Sequence, residues 1–268
     1  MIASEPILAG SGVLLLLGAG GFTLGTRRLP ATTRQFGYAI ALACASMGTA
    51  YLLMAADALT VVTSGREESA ARFLGYTVVM TTSSLVIGAL AGARRRQTLL
   101  LVGGNLVAVW GTLASWILSG TGELLATGLI LGSFLGVTVL LLGPMARAAS
   151  AVHAERTLLY GKLRNLLLLV WASLIVLGAL SEQTLGLTDA VVGQLAATYV
   201  DLVFLFGFGL LLARNTEALA STGPLVSWGA VGGGSSVGDS STGHSSGDRS
   251  GTGGTGAQTP GSNATESD

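Results

Sequence analysis

The sequence predicts an all-α membrane protein, a bundle of seven transmembrane helices. Three observations carry this. Half of its 268 residues are hydrophobic and only 10% are charged, against about 25% charged in soluble domains. Seven apolar segments recur, at approximately 7–26, 34–60, 69–92, 97–118, 122–145, 156–180 and 190–213, each long enough for the roughly 20 residues a bilayer requires. None alternates with the two-residue period of a membrane barrel. A helical bundle is left, because helices and closed barrels are the structures that satisfy their own backbone in lipid.

The first segment follows Met1-Ile2-Ala3-Ser4-Glu5-Pro6, which has no basic region before the apolar run. It is expected to persist as a helix and not to be removed as a secretory signal. The second holds Cys44, the single cysteine, which can form no intrachain disulfide and reads as a small core residue. The third contains no Asp or Glu. Its Thr81-Thr82-Ser83-Ser84 run is expected to bond mainly to carbonyls of its own helix. In the fourth, Trp116 lies near one end, where an interfacial anchor is expected. The link Ser119-Gly120-Thr121-Gly122 is short, so the fourth and fifth helices should run antiparallel. The sixth carries Lys162, the only lysine of the chain, near its start; the seventh carries Asp201 within its apolar run. Glycines such as Gly18, Gly20, Gly21, Gly207 and Gly209 read as sites of close helix packing.

Charge sets an expected orientation. Arg27, Arg28 and Arg34 fall in the first connection, Arg94, Arg95 and Arg96 in the third, Arg147, Arg156, Lys162 and Arg164 around the fifth, and Arg214 after the last helix. The even-numbered connections hold Arg66, with Arg72 nearby, and are otherwise acidic or neutral, with Glu67, Glu68, Glu123, Glu182 and Asp189. The positive-inside rule then places the N-terminus outside and the C-terminus in the cytoplasm of a multi-pass cell-membrane protein. An odd number of spans agrees. The chain divides into a membrane domain, 1–218, and a tail, 219–268. Gly232–Asp268 is almost free of apolar residues, so it cannot bury enough surface to offset its ordering entropy and is expected to be disordered. Asn263-Ala264-Thr265 matches a glycosylation pattern, read as chance in a cytoplasmic tail.

Several stretches resemble the microbial rhodopsins, the archaeal bacteriorhodopsin-like proteins in particular. Arg34-Gln35-Phe36-Gly37-Tyr38, running on to Ala50-Tyr51-Leu52, is similar to their second helix. Ala71-Arg72-Phe73 resembles the start of the third. Lys162-Leu163-Arg164-Asn165 with Val170-Trp171-Ala172-Ser173 resembles the sixth, and Asp201 through Phe206-Gly207-Phe208-Gly209 the seventh. The similarity spans residues 7–214 in order and spacing. It implies a seven-helix bundle of the microbial rhodopsin type.

The departures from that pattern fall on the chemistry. Such proteins hold retinal as an imine on a lysine in the seventh helix. Registered on Asp201 and the Gly-Phe-Gly run, that position is Leu205. Registered on Arg72, the carboxylate proton acceptor falls on Gly75, a pocket tryptophan on Tyr76 and the proton donor on Val86. The fourth-helix aspartate of the pumps falls on Asn105. Trp171 is kept, while the next pocket aromatics of the sixth helix fall on Leu174 and Gly178. An imine needs a primary amine. Lys162 lies nine residues before Trp171, about 13 Å along a helix at 1.5 Å per residue, too far for its amine to reach mid-membrane.

The expected function is therefore that of a sensory, scaffold or partner-binding membrane protein without covalent retinal. Tyr51, Tyr76, Trp171 and Leu205 form a residual pocket, and Arg72 with Asp201, joined by Tyr51 and by Asp57 as a further candidate, forms a buried polar remnant. The alternatives are non-covalent binding of retinal or another apolar ligand, and a light-independent channel or transporter. No nucleotide loop, nucleophile–base pair or metal-ligand spacing marks an enzyme or metal site; His153 and His244 lack companions. The bilayer is the first expected partner, with a membrane or cytoplasmic protein, or a second copy of the chain, as further ones. Nothing points to nucleic acid.

Overall fold

The computed structural model describes residues 5–63, 66–181, 185–223 and 225. The tail from 226 to 268, with Asn263 and His244, lies outside the described residues, as does Glu182, and the side chains of Arg66, Glu67 and Glu68 are likewise not described.

Seven helices among the described residues are long and apolar enough to cross a membrane. They are α1 (Glu5–Arg27), α2 (Arg34–Ala55), α3 (Ala70–Ala91), α4 (Arg95–Ile117), α5 (Thr121–Leu142) with its short continuation α6 (Pro144–Ser150), α7 (Ala154–Leu180) and α8 (Ala190–Arg214). A short α9 (Thr216–Ala220) follows. The protein is a multi-pass membrane protein.

Local chemistry sets the ends. Ser69 caps α3, its hydroxyl accepting from the Ala71 N–H at 3.3 Å. Gly92, at φ 61°, closes the same helix in the left-handed conformation that favours glycine. Asp189 caps α8 by accepting from the Val192 N–H at 2.7 Å. The break between α5 and α6 falls at Gly143–Pro144, where proline removes a helical N–H and its ring crowds the preceding turn.

Two features differ from the sequence expectation. The second helix stops at Ala55 and not near 60. Asp57 and Leu59 there adopt φ of 49° and 58°, and the chain turns into an antiparallel hairpin, β1 (Thr60–Thr63) with β2 (Arg66–Ser69), pairing Thr60 with Ser69 and Thr63 with Arg66. The β-branched run Thr60-Val61-Val62-Thr63 followed by Ser64-Gly65 was the available signal. Asp57 is consequently an exposed turn residue and no part of the buried polar remnant. The fifth span, expected to end near 145, continues through α6 to Ser150.

Successive helices pack side by side, and α8 closes the ring against α7, α2 and α1. α3 is the most buried span and also contacts α7. The α1–α2 contact is the most extensive between helices of the bundle. A Cβ on Gly12 would lie 2.9 Å from the Gly48 carbonyl oxygen, and one on Gly48 2.9 Å from that of Gly12, so small residues are needed where these backbones meet.

Candidate functional site

Three helices deliver the central polar cluster. Tyr51 comes from the last turns of α2, Tyr76 from the second turn of α3, and Asp201 from the middle of α8. Tyr51 and Asp201 are buried. The Tyr51 hydroxyl donates to Asp201 Oδ2 at 2.5 Å. The Tyr76 hydroxyl lies 2.8 Å from both carboxylate oxygens. Arg72, one turn before Tyr76 on α3 and also buried, acts on the carboxylate as a nearby positive charge. The sequence pointed to Arg72 as the partner of Asp201 with Tyr51 assisting; a second tyrosine, Tyr76, also reaches the carboxylate. A phenol sits on a rigid ring held by packing, so it can deliver a donor to mid-bundle at little entropic cost.

Gly75 explains how α2 and α3 come close enough for this. A Cβ there would meet Met47 Sδ at 2.9 Å and Ala50 Cβ at 3.0 Å. The position expected to correspond to a carboxylate is occupied by the wall of a neighbouring helix, and a longer side chain would push α2 away.

A second polar cluster lies about two turns further along α3. The Trp171 indole N–H on α7 donates to Asn105 Oδ1 on α4 at 2.8 Å, and Asn105 Nδ2 donates to Ser84 Oγ on α3 at 2.9 Å. Asn105 and Ser84 are fully buried, so each polar atom has the partner that burial demands. Ser84 thus reaches across helices. Its neighbours behave as expected: Thr82 bonds the Val78 carbonyl at 2.7 Å, and Ser83 that of Val79.

Leu205 is one turn beyond Asp201 on α8 and almost fully buried. Its surroundings are Val79, Val86, Phe204 and Phe208, with the side chain of Thr82, around a cavity of about 10 Å³. That volume is near the minimum for a single water. Phe206 packs on Gly18 and Phe22 of α1, away from this cavity, which Phe208 lines. The four residues Tyr51, Tyr76, Trp171 and Leu205 are thus distributed. Two meet at Asp201, one at Asn105, and one lies beside the small apolar cavity, which none of the other three lines.

Lys162 is exposed in the third turn of α7. Trp116 is half-buried, edge-on to Phe73 at 5.5 Å and 77° between planes, while Trp110 sits 6.4 Å from the same ring. Sequence reasoning missed the Asn105–Trp171 link; an asparagine in an apolar span, costly unless partnered, was its signal. Among the described residues no group of three His, Cys, Asp or Glu side chains could hold a metal ion.

Comparison with known proteins gives this arrangement its context. A family model described as bacteriorhodopsin-like protein matches residues 3–219. Sensory rhodopsin-2 of Natronomonas pharaonis is 29% identical over 230 residues, covering 80% of this chain and 95% of that protein. Bacteriorhodopsin-I of Haloarcula marismortui is 25% identical over 245 residues, covering 84% and 98%. Among solved structures, the thermophilic rhodopsin from Rubrobacter xylanophilus superposes with a TM-score of 0.75 at 24% identity, covering 81% of this chain and 98% of that one. A cyanorhodopsin from Calothrix sp. NIES-2098 gives 0.73 at 19% identity, covering 82% and 98%.

Proposed function

The chain belongs to the bacteriorhodopsin-like family, and from that premise we propose that it is a member without covalently bound retinal, acting as a sensory, scaffold or partner-binding membrane protein. One observation carries the reading. The chain has a single lysine, Lys162, and it lies at the exposed start of α7, about 13 Å along the helix from Trp171 at 1.5 Å per residue. No other side chain offers the primary amine that an imine requires. Within the third span the described side chains include no carboxylate, so the proton relay of a pump has no acceptor or donor on α3.

The filled space beside Leu205 supports a scaffold over a binder of free retinal, since about 10 Å³ is far below the roughly 300–1,000 Å³ of small-molecule sites. Asp201 supports a structural reading of the polar centre. A carboxylate within a span costs about 2.5–3.5 kcal/mol on insertion scales, and its two tyrosine donors offset that by tying α2, α3 and α8 together. On this reading the partner meets the helix faces or the basic end of the bundle, which the positive-inside rule assigns to the cytoplasm.

The test is expression with all-trans-retinal followed by a visible spectrum and borohydride treatment. The expected result is a free-retinal spectrum and no retinyl group on the protein. A red-shifted band that borohydride traps onto the chain would overturn the proposal.

A further inference from the structure

A second space in the bundle is far larger than the one beside Leu205. It is a groove of about 460 Å³ between α1, α2 and α8. Glycines open it. Gly21 and Gly25 of α1 line it and are exposed, and a Cβ on either would meet nothing within 4 Å. Phe22 and Phe206, 6.3 Å apart, close its inner wall, with Phe22 over Gly209 and Phe206 over Gly18. The walls are overwhelmingly apolar, and the groove lies within the membrane spans, where water does not settle on such a surface. Its volume matches on the order of 15 water-sized groups at about 30 Å³ each, the bulk of one acyl chain.

One end of the groove is marked by charge. Leu29 and Ala213 line it there, and their chain neighbours Arg28 and Arg214 are exposed. Arg34 joins them, its Nε donating to the Leu29 carbonyl at 3.0 Å and its Nη2 to that of Arg27 at 3.4 Å. The acidic neighbour is Glu217, two residues before Leu219, which also lines the groove. Three arginines against one glutamate leave this rim positive. An apolar slot that ends at a basic rim at membrane depth has the chemistry of an anionic lipid site.

We propose that this groove binds one anionic phospholipid of the bilayer, its acyl chain along Gly21 and Gly25 and its phosphate at Arg28, Arg34 and Arg214. The glycines make the slot, and the turn between α1 and α2 together with the end of α8 supplies the charge, so chain and headgroup are recognised by adjacent parts of one site.

Native mass spectrometry of the full chain, released from mixed phosphatidylglycerol–phosphatidylcholine nanodiscs, tests it. The expected result is one phosphatidylglycerol retained in preference to phosphatidylcholine and undisturbed by added inorganic phosphate. Gly25→Leu fills the slot and should lose that lipid, whereas Gly20→Leu, on the same helix with open space around it and outside the groove, should keep it. Arg28→Gln and Arg214→Gln should each reduce the preference about 5-fold, the equivalent of about 1 kcal/mol per basic residue. Equal retention of both lipids by the unaltered chain, or equal loss in Gly20→Leu and Gly25→Leu, would overturn the proposal. If Gly25→Leu does not fold, the arginine variants decide: an unchanged preference in both overturns it.

Discussion

The two polar clusters built on α3 solve the same problem with different chemistry. Tyr51, Tyr76 and Asp201 join α2, α3 and α8 around a carboxylate. Ser84, Asn105 and Trp171 join α3, α4 and α7 through neutral groups alone. Both bury their polar atoms inside apolar spans, and both use an aromatic ring to carry a donor to the centre. The difference lies in what remains when one member is lost. A carboxylate stripped of its donors is a buried charge poorly compensated; an amide or hydroxyl stripped of a partner is only a dipole. The charged cluster should therefore be the more brittle one, even though an intact buried charge need not add net stability.

The largest effect is expected where both donors to Asp201 are removed. Tyr51→Phe combined with Tyr76→Phe should cost about 3–5 kcal/mol, two hydrogen bonds to a charged group at about 1.5–3 kcal/mol each, read as the loss of unfolding free energy in detergent titration. Next comes Asn105→Leu, which deprives both Trp171 Nε1 and Ser84 Oγ. A loss of about 1–3 kcal/mol is expected, the cost of leaving buried polar groups unpaired. The smallest is Ser84→Ala, which removes one interhelical hydrogen bond and should cost only about 0.6 kcal/mol, the average for such bonds in a membrane. If the double tyrosine variant unfolds no more easily than Ser84→Ala, the contrast between the clusters is broken. If Tyr76→Phe alone already accounts for most of the double variant's loss, the contrast sharpens onto the ring that touches both carboxylate oxygens.

A further comparison separates the packed centre from the open rim. Gly75 sits against Met47 and Ala50, so any side chain there must move a helix. Gly75→Leu should destabilise by about 1–3 kcal/mol through overpacking, while Gly21→Leu, with open space above it, should be neutral or slightly stabilising because glycine is a poor helix former. Thermal unfolding of the two variants side by side measures this.

Much of the architecture was legible from the chain. Uninterrupted apolar runs and the placement of arginines specify seven spans, because lipid punishes an unsatisfied backbone and a buried charge so heavily that few alternatives survive. The pairing of Tyr51 with Asp201 was legible for the same reason: an aspartate in an apolar span must find a donor. Less legible were features that depend on which residues meet. The turn after Ala55 was absorbed into the second span, because Ala58 and Leu59 are as apolar as a helix end, and the hairpin that follows lay unread in the connection. Tyr76 read as pocket lining only, since spacing along α3 does not say which side chain faces α8.

The absence of any amine from the body of the spans was determined by the sequence alone. With one lysine in the chain, no folding event can bring a second to Leu205. What the tertiary structure decided is how the space was used: two tyrosines on the carboxylate, an asparagine holding Trp171, aliphatic and phenyl groups closing on Leu205, and glycines leaving a groove open on α1. Composition is a property of the chain and survives any fold, whereas partnership and volume exist only once helices far apart in sequence lie a few ångströms from one another.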